Sequence, residues 1–141
     1  MEAQRNLDRF IEAQEQQYEV ALSEIMSGHK RSHWMWYIFP QLRGLGHSST
    51  AVYYGILDLE EAKAYLQHPV LGARLTEITK VLRNLPGDDA NAIFGKPDDM
   101  KLRSCMTLFA QIPNAPAVFH QVLTKFFNGL EDERTLALLH K

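Results

Sequence analysis

Residues 7–28 read LDRFIEAQEQQYEVALSEIMSG, and the fold class turns on their periodicity. Leu7, Ile11, Gln14, Tyr18, Leu22 and Ile25 recur at three- and four-residue spacing, Phe10 and Ala21 widen the stripe, and Gly28 follows the last turn. Such spacing lays one apolar face along an α-helix; a strand, whose side chains alternate with a period of two, would scatter it. One first helix is therefore expected, stopped at the glycine.

The same reading extends outward. Asp58, with Glu61 three residues on, forms a capping-box pattern that opens a helix through Gln67. His68 caps the next helix, with Pro69 as its natural first residue, Leu71, Leu75, Ile78, Leu82 and Leu85 as its face and Pro86-Gly87 as its stop. Ala90 to Phe94 reads as one short turn closed by Gly95, and Asp98 caps a segment in which Leu102, Cys105, Met106 and Phe109 share a side. Pro116 starts a helix that Asn128-Gly129 closes, and Asp132 begins a last short one. Sustained two-residue alternation, internal repeats and a polar linker are all missing, so the expectation is an all-α fold of about six to eight helices in a single domain, residues 1–141.

Composition narrows the function classes. With 45% hydrophobic and 23% charged residues, the 141-residue chain matches a globular domain with one core. Its longest bulky apolar run, Trp34 to Phe39, falls far short of the roughly 20 residues that span a bilayer, so no membrane role is expected. Met1 to Asn6 is polar and lacks the apolar core of a signal peptide, which makes the cytoplasm the default location. A net charge of -2 argues against general nucleic-acid binding. Cys105 is the only cysteine and the six histidines are scattered, so neither a disulfide nor a metal site is expected, and no cofactor is implied.

Two segments depart from ordinary amphipathic patterning. The first runs from His29 through Lys30, Arg31, Ser32, His33, Trp34, Met35, Trp36, Tyr37, Ile38, Phe39 and Pro40 to Gln41, followed by Gly44 and Gly46. Ser32 is placed to cap a short helix that Pro40 ends; free backbone N–H groups and the Lys30 and Arg31 side chains would then converge on a phosphate or carboxylate. Trp34 and Trp36 would offer stacking faces, Gln41 a polar edge, and His33 a general acid or base. The plain alternative is that the rings are core and the basic pair is solvated.

The second segment is Asp98-Asp99-Met100-Lys101-Leu102-Arg103-Ser104. Lys101 falls in the first turn of a helix, where the dipole disfavours an ammonium. Burial there would add to that effect and favour a neutral amine able to attack a sugar aldehyde carbon, with Ser104 on the same face and Asp98 or Asp99 as proton carrier. The plain alternative is an exposed lysine paired with either aspartate.

Lys30 to Trp36 through Pro40-Gln41, Gly44-Leu45-Gly46, His68 to Gly72, Phe94-Gly95 and Asp98 to Phe109 together resemble the family catalogued as "domain of unknown function 1810", over nearly the whole chain. The resemblance implies an all-helical single domain and brings no activity. The label calpastatin, carried by some members, implies a disordered polar inhibitor at odds with this core-forming composition. A shorter stretch, Asp98 or Asp99 with Lys101 and Met106, is similar to N-glycosidases of NAD and ADP-ribose metabolism. That likeness implies a lysine that attacks the ribose anomeric carbon and forms a Schiff base. Three functions follow as expectations: a hydrolase of N-glycosidic bonds using Lys101, with Asp99 and His33 assisting; a non-catalytic site for a nucleotide-like metabolite; and a protein-interaction surface built on Lys30 to Gly46.

Overall fold

The computed structural model describes residues 6–140, and within them every regular element is helical. In chain order these are α1 (Asp8–Gln14), α2 (Tyr18–Met26), α3 (Met35–Ile38), α4 (Ser49–Tyr54), α5 (Leu59–Gln67), α6 (Leu71–Asn84), α7 (Ala90–Phe94), α8 (Asp98–Ala110), α9 (Val118–Phe127) and α10 (Glu133–Leu139). The only sheet-like pairing among the described residues is one isolated parallel bridge between Leu42 and Ile56.

Ten helices among the described residues exceed the expected six to eight for two physical reasons. The first expected helix is split. Glu15 and Gln17 donate their backbone N–H groups three residues back, to Glu12 and Gln14, so the chain tightens between α1 and α2. The buried stripe nevertheless continues at helical spacing through Gln14, Tyr18, Ala21 and Ile25, which hides the break from a periodicity reading. At the break Gln14 is a buried polar junction, its amide nitrogen donating to Tyr37 O (2.7 Å) and Tyr65 Oη (2.9 Å) while its oxygen accepts from Arg74 (3.3 Å). The second reason is α4, capped by Ser48 and burying none of its residues, so it has no apolar stripe to read.

Of the capping residues that the sequence singled out, Asp58 and His68 act as such, whereas Asp98 does not: it is the first residue of α8, behind Pro97, and no side chain caps that helix. Asp58 accepts from the Glu61 N–H (2.8 Å), and His68 Nδ1 accepts from Val70 and Leu71 at the start of α6. Gly72 is obligatory for a different reason: a Cβ there would lie 1.9 Å from the Leu66 carbonyl oxygen, so α5 and α6 approach more closely than any side chain allows. Asn128 and Gly129 close α9 with φ of 56° and 77°.

α8 is the central element. Asp99, Leu102 and the whole run Ser104 to Phe109 are buried, and the helix packs against α5, α7, α9 and α10. Six consecutive buried residues leave no exposed face on that part of the helix, as suits an element in the middle of a bundle. Eight of the ten helices add buried side chains to one contiguous core, and α4 and α10 pack partly covered ones, Tyr54, Leu138 and Leu139, against it. Because α8 crosses that core, its first turn emerges at the surface beside α3 and α10, where Lys101 is only partly covered.

Candidate functional site

The Lys30 to Gln41 segment folds differently from its local reading. Ser32 caps nothing: α3 begins at Met35 with Trp34 before it and no side-chain cap. The converging donors exist, but the protein's own carboxylate fills them. Glu24 of α2 accepts from the backbone N–H groups of Arg31 (2.8 Å) and Ser32 (3.0 Å), from Ser32 Oγ (2.6 Å) and from Trp34 Nε1 (2.8 Å). Partial desolvation opposes its charge, yet the bonds from Ser32, Arg31 and Trp34 outweigh it and hold the carboxyl at about 2. A folded value below the ordinary 4.5 means that the unfolded chain takes up the proton first, so this contribution is complete above pH 4.5 and is lost as pH falls toward 2. Urea midpoints should therefore decline from pH 4.5 downward more steeply in wild type than in Glu24→Gln; parallel declines would remove Glu24 as the cause.

Trp34 is fully buried against Phe39 and Phe94, so no face of its indole is open to a ligand. Arg31 and His33 are exposed, and neither borders the cavity described below. His29 and His33 stand four residues apart on non-helical backbone, and among the described residues no three potential metal ligands come together.

What does assemble is a smaller set drawn from both unusual segments. A cavity of about 320 Å³ is lined by Trp36 of α3, Gln41, Leu45 and Gly46 of the following loop, Lys101 and Ser104 of α8, and Asp132 and Arg134 at the start of α10. The loop is pinned from behind: Ile56 donates to Gln41 O and Arg43 to Ile56 O, both at 2.8 Å. Gly44, at φ 107°, turns it against Leu138 of α10.

Charge converges on Asp98. One carboxylate oxygen pairs with Lys30 at 2.9 Å and the other with Lys101 at 3.2 Å. Lys30 is nearly enclosed, with 8% of its side chain exposed; it also donates to Ser32 O and lies 5.0 Å from the Trp34 ring centroid. It is thus a structural tie between the two segments, one step behind the cavity. Lys101 reaches the cavity itself, its ammonium 3.8 Å from the centroid of Trp36. A carboxylate and an indole face are both partners of a cation. Two lysines share one aspartate, which leaves positive charge at the rim.

Asp99 turns away from Lys101: its oxygens accept from Asn91 (3.3 Å) and from the Met100 N–H (2.8 Å). Ser104 Oγ lies 3.2 Å from both Met100 O and Asp132 Oδ2, and its one proton serves them in turn. Asp132 and Arg134 escaped local reading because nothing near them in sequence distinguishes α10 from an ordinary capped helix. Cys105 is fully buried, and burial pushes its thiol well up, as suits a small apolar group.

No helix among the described residues is long and apolar enough to cross a membrane. A family model described as "Protein of unknown function (DUF1810)" matches residues 4–139. Among solved structures, the chain is similar to the conserved hypothetical protein Rv1873 from Mycobacterium tuberculosis, with 51% identity over 96% of this chain and 97% of that one and a TM-score of 0.94. No curated protein matches it.

Proposed function

The chain belongs to the DUF1810 family, and because that family is described as one of unknown function, we propose a role from the site alone: the cavity between α3, α8 and α10 binds a small anionic metabolite without covalent chemistry. The observation that carries this reading is the meeting of Trp36 and Gln41 with Lys101 and Ser104, two groups far apart in sequence, around one cavity that also holds Arg134. About 320 Å³ lies at the low end of ligand pockets, which run from about 300 to 1,000 Å³. That size favours a mononucleotide or something smaller over ADP-ribose.

The placement of Lys101 weighs against the glycosidase reading. A nucleophilic lysine needs a free lone pair. Lys101 instead spends its nitrogen on Asp98 and Trp36; of the expected proton carriers, His33 and Asp99 face elsewhere, and Asp98, which does meet Lys101, is shared with Lys30. Trp36 accordingly serves to hold the lysine over its ring.

A ligand that binds only the folded state raises stability by about 2.7 kcal/mol at a hundredfold excess over Kd. For a chain of this size that is a Tm rise of roughly 5–10 °C. A panel of mononucleotides, sugar phosphates and small carboxylates should contain ligands giving such a rise in wild type and almost none in Lys101→Ala. The variant should otherwise melt close to wild type, since a partly exposed ion pair is worth about 1 kcal/mol or less. Borohydride treatment with ADP-ribose should trap no adduct. An adduct that disappears in Lys101→Ala would replace the binding reading with the covalent one.

A further inference from the structure

We infer that the anion is a phosphomonoester and that Arg134, delivered by α10, is the second cation that selects it; this rests on the anion-site reading above. The cavity's two cations come from different elements, Lys101 from α8 and Arg134 from the start of α10. Arg134 makes a single hydrogen bond among the described residues, from one terminal nitrogen to Leu45 O at 3.2 Å. A guanidinium carries five N–H donors in a fixed fork, so most of its donor capacity stays free. Gln41 adds a side-chain amide that bonds no other described residue.

The one acidic residue in the lining, Asp132, offsets part of this charge but is engaged within the protein. Asp132 Oδ2 is turned onto its own helix, accepting from the Thr135 N–H (3.0 Å) and Thr135 Oγ1 (2.6 Å), with Ser104 Oγ at 3.2 Å. Two cations and an amide therefore face the space between α8 and α10. A carboxylate ligand has one charge and two oxygens, which a single cation satisfies. A phosphomonoester carries nearly two charges at pH 7 and three acceptor oxygens, and it can engage a lysine, an arginine and an amide together. Lys101 sits over one face of the Trp36 ring, which leaves less of the indole for base stacking.

Calorimetric titration with ribose 5-phosphate, glycerol 3-phosphate, lactate and free ribose tests this in wild type, Arg134→Ala, Arg134→Lys and Lys101→Ala. Both phosphates should bind wild type at least about tenfold more tightly than lactate, and ribose should not bind. Arg134→Ala should weaken the phosphates about tenfold, the scale of one charge-assisted hydrogen bond, with lactate almost unaffected. Arg134→Lys should recover part of the loss. Asp132 remains in place as the cap of α10 in both Arg134 variants, and their melting temperatures confirm folding. Lys101-dependent binding that prefers lactate, or phosphate binding indifferent to Arg134→Ala, would overturn the inference and leave the anion reading standing. Absence of any Lys101-dependent anion would take both away.

Discussion

Glu61→Ala is expected to destabilise the protein by about 3–5 kcal/mol, because it removes the carboxylate that meets the buried Arg9 guanidinium. The side chains of Arg9 and Glu61 are 3% and 0% exposed and meet in two contacts, at 3.2 and 3.4 Å. Their other bonds staple the chain after α4. Arg9 donates to Tyr53 O (2.7 Å) and Gly55 O (2.9 Å), and Glu61 accepts from the Leu57 N–H (2.8 Å). The figure is the cost of breaking the pair. Its net worth is smaller, since desolvating two charges offsets most of their attraction. Arg9→Met combined with Glu61→Leu should accordingly lose less than the sum of the single changes, though the carbonyls of Tyr53 and Gly55 still forfeit a donor. Urea denaturation at pH 7 measures all three, and a Glu61→Ala loss below about 1 kcal/mol would refute the argument. The staple matters to the site because Ile56, held within it, pairs with the backbone of Gln41 and Arg43.

The two tryptophans should separate cleanly. Trp34→Ala removes a wholly buried indole and its bond to Glu24, a change that costs about 3–5 kcal/mol in a packed core. Trp36→Ala removes a half-buried ring whose partner is the ammonium of Lys101, an interaction worth about 0.5–1 kcal/mol near a surface. Stability should thus fall far more in Trp34→Ala, whereas affinity for the ligand should fall in Trp36→Ala, with Trp34→Phe retaining it. Equal destabilisation by the two alanine changes, or loss of binding in Trp34→Phe alone, would reverse the assignment. Two tryptophans separated by one residue thus take opposite roles: Trp34, just before α3, packs on Phe94 of α7, whereas Trp36 within α3 meets Lys101 of α8.

This contrast marks how far local sequence reaches. Helical periodicity, the Asp58 and His68 caps and the Asn128-Gly129 stop are short-range properties, and they were legible. The break after Gln14 was not, because the buried stripe continues in phase across it. Surface helix α4 has no stripe at all. At the site, Trp36, Gln41, Lys101 and Ser104 stood out as residues that local rules explain poorly, and they do share a cavity. Lys30, Arg31 and Ser32 stood out for the same reason, yet tertiary contacts absorb Lys30 and Ser32: Asp98 takes the Lys30 ammonium and Glu24 takes the donors of the Arg31-Ser32 turn. Asp98 could not be preferred over Asp99 without knowing that Lys30 lies against it. Arg134 carried no local signal, since only the docking of α10 against α8 brings it to the cavity.

The most direct test of the anion site is a nitrogen-15 NMR titration of the full chain with ribose 5-phosphate. The indole N–H of Trp36, the side-chain amide of Gln41 and the backbone amides of Gly46, Lys101 and Arg134 should shift together along one binding curve, while the indole N–H of Trp34, held by Glu24, stays in place. Saturable shifts confined to another face of the protein, or none up to concentrations that saturate ordinary metabolite sites, would contradict it.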